Sequence, residues 1–223
     1  MIKKIIKAFK IIFHILLDNS KGIIYVKEHI SPNVIKTLSP NTSNKVKTLK
    51  KITSDLEKLK IKYSISKGTL LGLYRDKKII ANDIDIDIDI FSERDIYKLI
   101  QHSKFNIFRT VIYNGRYSNI VFFDNENQML IDIAVFIKRE NIFINHSPQG
   151  EFILNKSFIR SISLMKFGDN NVLSYSSEDY LPHWYGEEWK TPKPYTQDWI
   201  YHYKKACNAF KFYDRLSVTI DLK

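Results

Sequence analysis

Aspartate alternates with isoleucine over eight residues, Asp83-Ile84-Asp85-Ile86-Asp87-Ile88-Asp89-Ile90. In a strand, successive side chains point to opposite faces, so four carboxylates share one face and four isoleucines the other. Neighbouring carboxylates on such a face lie about 7 Å apart, which means a repulsion of about 0.6 kcal/mol per pair in water and roughly 2.4 kcal/mol at an effective dielectric near 20. Aspartate is also a poor strand former. A divalent cation held by oxygen ligands compensates for both. The competing explanation is an edge strand made acidic to block aggregation.

Upstream of the acids, Lys67-Gly68-Thr69 opens the segment LLGLYR, which the pattern predicts as a short helix starting at a Gly-Thr turn. Backbone amides at such a turn can receive phosphate oxygens, and Arg75, Lys77 and Lys78 add cations before the acidic strand. A small-residue phosphate turn followed by an Asp-x-Asp strand is the layout of nucleotidyltransferase-type enzymes. It calls for a third acid on a neighbouring strand. Asp132 is the acid centred in an apolar run, Met129 to Phe136. A carboxylate buried there must be metal-bound or paired with a local Lys or Arg, because unpaired burial is costly.

The elements that must position these residues follow from periodicity. Val46, Leu49, Ile52, Leu56 and Leu59 recur at helical spacing over 45–60, and a short apolar strand follows at 63–66. Strands are expected at 84–91, 105–112, 118–124 and 128–137, with a helix opened by Ser92 and Glu93 over 93–102. Further helices are expected near 177–185 and 196–214. The hairpin-like neighbours at 105–137 argue against a purely parallel sheet, so the fold class is an α/β (α+β) sandwich around a mixed sheet.

Net charge separates the chain into two parts. Of the overall +11, residues 1–62 carry 14 lysines against four acids, a balance of +10, and residues 63–223 are nearly neutral. A nucleic-acid-binding body would carry the excess itself, so no nucleic-acid partner is expected. On a helical wheel, residues 1–17 place Lys3, Lys4, Lys7, Lys10 and His14 opposite an arc of Ile, Leu and Phe, the composition of an interfacial anchor. A helix packed on the body, or a signal peptide with a short apolar region, are the alternatives. Residues 31–44, with two Ser-Pro pairs, read as a linker. The division is 1–40 for a basic arm and linker and 41–223 for the catalytic domain. One cysteine, Cys207, excludes an internal disulfide framework, and it sits in an apolar helical pattern. His102, His146 and His183 lack metal-ligand spacing. Trp199, Tyr201, Tyr203, Lys204 and Lys205 read as a solvated helix face rather than a base-stacking surface.

The stretch GTLLGLYRDKKIIANDIDIDIDI resembles the motif of the LicD family, in which G-T-L-L-G-x-x-R leads to W-D-D-D-I-D. Gly68, Thr69, Leu70, Leu71, Gly72 and Arg75 fall on their counterparts, and Asp83, Asp85 and Asp87 on the first, third and last acids. The IDIAVF run resembles the family's later strand with a single acid, which is Asp132. Ser177 to Pro192 resembles its Tyr-Leu, Tyr-Gly, Trp and Pro pattern. Asn82 stands where the family has tryptophan, and Ile84 where it has its second acid. Asp89 has no counterpart role.

The resemblance implies a nucleotidyltransferase-like fold and transfer of a phospho-alcohol, such as phosphocholine, glycerol phosphate or ribitol phosphate. The donor is CDP-linked, and the acceptor is a hydroxyl of a lipopolysaccharide, capsule or teichoic-acid type glycan. Asp85, Asp87 and Asp132 would hold Mg2+ or Mn2+, with Asp132 also serving as general base. Gly68, Thr69 and Arg75 would bind the donor phosphates, unless Arg75 is spent on an ion pair with Asp76 or Asp83. Tyr185, Gly186 and Trp189 would line the pocket or belong to the core. The alternatives are an Mn2+-dependent glycosyltransferase using a nucleotide sugar, or a non-catalytic membrane-surface module. The expected location is the cytoplasm, at the inner face of the cell membrane.

Near an anionic surface each lysine contributes about 1 kcal/mol, so Lys3, Lys4, Lys7 and Lys10 offer roughly 4 kcal/mol at most, screened by salt. Deleting residues 1–17 is expected to abolish co-sedimentation with anionic vesicles. Retained vesicle binding with an insoluble body would instead make the helix part of the core.

Overall fold

The computed structural model describes residues 24–38, 41–81, 83–148, 150–192, 207–209 and 217–221. Residues 1–17, and with them the expected anchor helix, lie outside the described residues. The centre is a nine-stranded mixed sheet in the order β10-β11-β2-β3-β6-β5-β4-β1-β13. Its central strands are β2 (Tyr63–Ile65), β3 (Asp85–Ile90), β6 (Met129–Val135), β5 (Arg116–Asp124) and β4 (Asn106–Tyr113). β3 runs parallel to β6 and antiparallel to β2, while β4, β5 and β6 form an antiparallel meander. The mixed sheet expected from the sequence is therefore present.

The isoleucine face of β3 is the core side. Ile86, Ile88 and Ile90 are fully buried in one cluster with Leu49, Ile52 and Leu56 of helix α1 (Thr42–Lys58). Ile96 and Leu99 of helix α3 (Glu93–His102) join them. The helix predicted over 93–102 thus forms with those bounds, Ser92 at its N-cap and Glu93 and Asp95 in its first turn. α1 is tied to the β5–β6 hairpin by Asp124. Its carboxylate accepts from Thr48 Oγ1 of α1 at 2.8 Å and from Asn127 Nδ2 at 2.7 Å.

Residues 32–37, part of the expected linker, instead form a 3-10 helix, Pro32–Thr37. Val34, Ile35 and Leu38 of this segment pack on a second cluster of Phe108, Val121, Phe123 and Leu130. The sheet also reaches back into the stretch read as arm, since β1 (Ile24–Glu28) pairs antiparallel with β4 and parallel with β13 (Ser217–Asp221).

Between β2 and β3 the chain forms α2 (Lys67–Leu71), continued by a π turn, Gly72–Asp76. Two glycines of this segment are fixed by close approach of other atoms. A Cβ on Gly72 would lie 2.7 Å from the backbone oxygen of Lys78 and 3.0 Å from the Ile80 nitrogen.

The remaining strands have no counterpart in the sequence reading. They are β7 (Ile137–Arg139), β8 (Ile142–His146) and β9 (Gly150–Asn155), with β10 (Ser163–Phe167) and β11 (Asn170–Ser174) after the short helix α4 (Lys156–Arg160). A second sheet has the order β12-β9-β8-β7. Within it β12 (Cys207–Ala209) is a strand antiparallel to β9. This corrects the helix expected at 196–214 for the part of it that is described. Helix α5 (Ser177–Tyr185) forms as predicted. Among the described residues no helix is long and apolar enough to cross a membrane.

Gly72→Ala is expected to cost about 1–3 kcal/mol of stability, because the atoms it meets are backbone and cannot rotate away. A fall in the denaturant midpoint checks this.

Candidate active site

The carboxylate face of β3 stands at the middle of the sheet, so the explanation by a solvated edge strand fails. Asp83, Asp85 and Asp87 each bring one ligand oxygen within 4.8 Å of the others. They are the one such group among the described residues. Asp87 is 8% exposed and Asp89 fully buried, while Asp83 and Asp85 are half-buried.

Burial pushes the carboxyls up: Asp83 and Asp89 to about 6, and Asp85 and Asp87 well above the ordinary carboxylate range. Repulsion within the group and from Asp132 adds to the rise at Asp85 and Asp87, and the Lys67 ammonium opposes it. An all-carboxylate donor set suits a hard divalent cation such as Mg2+ or Mn2+. Room is left by Gly68, where a Cβ would lie 2.7 Å from Asp83 Oδ2 and 3.3 Å from Asp87 Oδ2.

Register brings Asp132 to the group's side. In the parallel pairing of β3 and β6, Asp87 is opposite Asp132, and partners in register project from the same face. Asp132 is half-buried and its Oδ1 accepts from Asn119 Nδ2 at 3.1 Å. The three-carboxylate group thus contains Asp83 in the place the sequence reading gave to Asp132. Asp83 shares the face of β3 and projects from the loop just before it, whereas Asp132 approaches from the next strand.

Gly68 and Thr69 are brought to the site, where both bond Asp87. The Gly68 N–H donates to Asp87 Oδ2 at 3.1 Å, and Thr69 Oγ1 accepts from the Asp87 N–H at 2.9 Å. The first turn of α2 thereby clasps β3 at its central acid. Arg75 turns away. Its guanidinium forks onto Asp76, with Nε to Oδ1 and Nη2 to Oδ2 both at 2.8 Å, and Nη1 donates to the Trp189 carbonyl at 3.4 Å. That is the ion-pair alternative, driven by the adjacency of Arg75 and Asp76 at the end of the π turn. Trp189 is 6% exposed and packs on Tyr74 at 5.8 Å between ring centroids, so its ring belongs to the core.

The structure supplies a role for Asp89. Its buried carboxylate accepts from Ser66 Oγ at 2.9 Å and from Tyr175 OH at 2.8 Å. Tyr175 stacks on Tyr180 at 4.3 Å. Two lysines went unrecognised in the sequence. Lys45 of α1 is fully buried and donates to the carbonyls of Ile80 and Ala81 at 2.5 and 2.8 Å, holding the loop that delivers Asp83. Lys67 places its Nζ 3.6 Å from Asp87 Oδ1. The available signal was electrostatic, since four carboxylates crowded on one strand face require compensating cations, and Lys67 adjoins the Gly-Thr pair.

A strand-borne carboxylate group clasped by the Gly-Thr turn of a short helix, with another acid on the neighbouring parallel strand, is a nucleotidyltransferase-type site. The chain belongs to the LicD family: residues 60–176, more than half its length, match the LicD/FKTN/FKRP nucleotidyltransferase domain. No curated protein sequence matches the chain significantly.

Among solved structures, the chain is similar to ANT(2'')-Ia in complex with adenylyl-2''-tobramycin. Identity there is 15%, coverage is 73% of this chain and 87% of that one, and the TM-score is 0.43. The solution structure of antibiotic-resistance factor ANT(2'')-Ia gives 16% identity, coverage of 75% and 84%, and a TM-score of 0.47. An antigenic nucleotidyltransferase-like protein from Paracoccidioides brasiliensis gives 17%, 64% and 65%, and 0.38.

The raised carboxyls fix a pH dependence. Asp83 and Asp89 bind protons more tightly folded, near 6, than at their ordinary 3.8, so each costs stability above pH 6 and the cost fades as pH falls toward 4. Asp76 and Asp124 are held below 3.8 by hydrogen bonds, from Arg75 and from Asn127 and Thr48, so the stability they add is complete above about pH 4 and is lost only below it. The Tm of metal-free protein is expected to rise between pH 7 and pH 5. The increment produced by Mn2+ is expected to shrink over the same interval, as protons compete for the ligands.

Proposed function

We propose that the protein transfers a phospho-alcohol from a CDP-linked donor to a hydroxyl of a cell-surface glycan, releasing CMP. Family membership implies a nucleotide-activated donor. The observation that carries the reading is the convergence of Asp83, Asp85 and Asp87 against Gly68, with Asp132 in register beside them.

Phosphoryl transfer depends mainly on positioning and charge neutralisation. Mg2+ or Mn2+ held by the β3 carboxylates would neutralise diphosphate charge. The Gly68 N–H holds the Asp87 carboxylate, and Thr69 Oγ1 holds the backbone of β3 at the same residue. Asp132, oriented through Asn119, takes the proton of the acceptor hydroxyl. The acceptor oxygen then bonds to the phosphorus carrying the alcohol, the bond from that phosphorus to the bridging oxygen breaks, and CMP leaves with that oxygen. A basic arm at residues 1–17 would hold the enzyme at the inner, anionic membrane surface, where lipid-linked glycan acceptors are found.

Incubation with CDP-choline, CDP-glycerol, CDP-ribitol and UDP-sugars, with detection of CMP or UDP, tests the reading. CMP release with one CDP-alcohol supports it. UDP release would indicate a glycosyltransferase, and no release from any donor a binding module. Asp85→Asn or Asp87→Asn is expected to abolish CMP release while thermal stability without metal holds or rises, because each removes a repelling charge. Asp132→Ala is expected to remain inactive when Mg2+ is raised. Recovery at high Mg2+ would reduce Asp132 to a plain ligand.

A further inference from the structure

Asp87 is gripped on both oxygens, and the two grips differ in kind. Oδ2 accepts from the Gly68 amide, which belongs to the backbone and cannot leave. Oδ1 faces the Lys67 ammonium at 3.6 Å, an ion pair rather than a short hydrogen bond. Lys67 stands in an unusual backbone state, with φ at +41°, a left-handed conformation disfavoured for a residue with a Cβ. Its N–H is directed at Tyr180 OH, 3.4 Å away. That conformation turns the start of α2 so that Lys67 and Gly68 both meet the same carboxylate.

The other nearby cation behaves differently. Lys45 is fully buried and fixed by two carbonyls, so it cannot follow changes at the carboxylates. The Lys67 side chain keeps 14% of its surface exposed and carries its ammonium at the end of a flexible stem.

We propose that Lys67 is an internal cation that holds the carboxylate group together without metal and competes with the divalent ion for Asp87. This rests on the metal site of the proposed function and adds an exchange to it. The ammonium stabilises the empty group at the cost of weakening metal binding, because a divalent ion that ligates Asp87 must approach a positive charge close to its oxygen.

The test is Mn2+ binding to the full chain by titration calorimetry at about pH 8 for wild type, Lys67→Met and Lys67→Arg. Thermal unfolding in EDTA and in Mn2+ accompanies it. Lys67→Met is expected to bind Mn2+ about tenfold or more tightly than wild type, and Lys67→Arg to stay near wild type. Lys67→Met should lose stability in EDTA and regain it in Mn2+. A lysine that merely supports the local fold predicts the opposite sign, since a disturbed site binds metal more weakly. Unchanged or weaker Mn2+ binding by Lys67→Met overturns the inference and leaves the metal site standing. No Mn2+ binding by wild type overturns the metal site and the inference with it. If Lys67→Met folds only in Mn2+, the exchange is supported directly. If it stays unfolded in both conditions, metal cannot replace the ammonium and the inference falls.

Discussion

Repulsion among the carboxylates of β3 is the constraint to which most of the surrounding polar structure answers. Asp89 and Asp87 have partners of their own, and Asp83 is held through its loop. Asp89 is hydrogen-bonded by Ser66 and Tyr175, and Asp87 is held by Gly68 and Lys67. Asp83 is delivered by a loop that Lys45 ties down. In water such contacts would be worth little, but a buried group that loses its partner pays the full desolvation cost. The isoleucine face supplies the other half of the arrangement. It anchors β3 so firmly in the core that the aspartates cannot turn away from one another.

The glycines of the α2 segment show how backbone geometry serves this chemistry. Gly68 is required because carboxylate oxygens occupy the place of a side chain, and Gly72 because the returning backbone at Lys78 does. One gives the acids room, and the other closes the turn that brings the chain back toward β3. The Gly-Thr pair therefore acts on the acids first. A donor phosphate would meet a site whose ligands are already oriented.

Much of this was legible in the sequence, for identifiable reasons. The Asp-Ile alternation dictated a two-faced strand, the 3.6-residue spacing of Leu49, Ile52 and Leu56 dictated α1, and Ser92-Glu93 marked the start of α3. The short strands from Ile137 to Ser174 were illegible, because runs of three to six residues carry too little periodicity. The segment Pro32–Thr37 was misread as linker since Ser-Pro pairs signal turns, yet Val34, Ile35 and Leu38 cover apolar surface on the sheet. The place of Asp83 in the carboxylate group was the least legible part of the site, because it depends on loop geometry. Asp83 enters the group through the turn before β3, and no spacing rule separates that from a strand position.

The pairing of Asp87 with Asp132 has a consequence for how the molecule matures. Asp83, Asp85 and Asp87 are neighbours in sequence and can meet as soon as α2 and β3 form. Asp132 arrives only when the whole meander of β4, β5 and β6 has docked in register, and a slip of one residue would turn it into the isoleucine core. Contacts of such separation carry a larger loop-closure cost than those within α2 and β3. A partly folded chain can thus present the three-carboxylate group without its fourth acid. Were a cation to bind that group, its uptake would mark the formed strand and leave the arrival of Asp132 unseen.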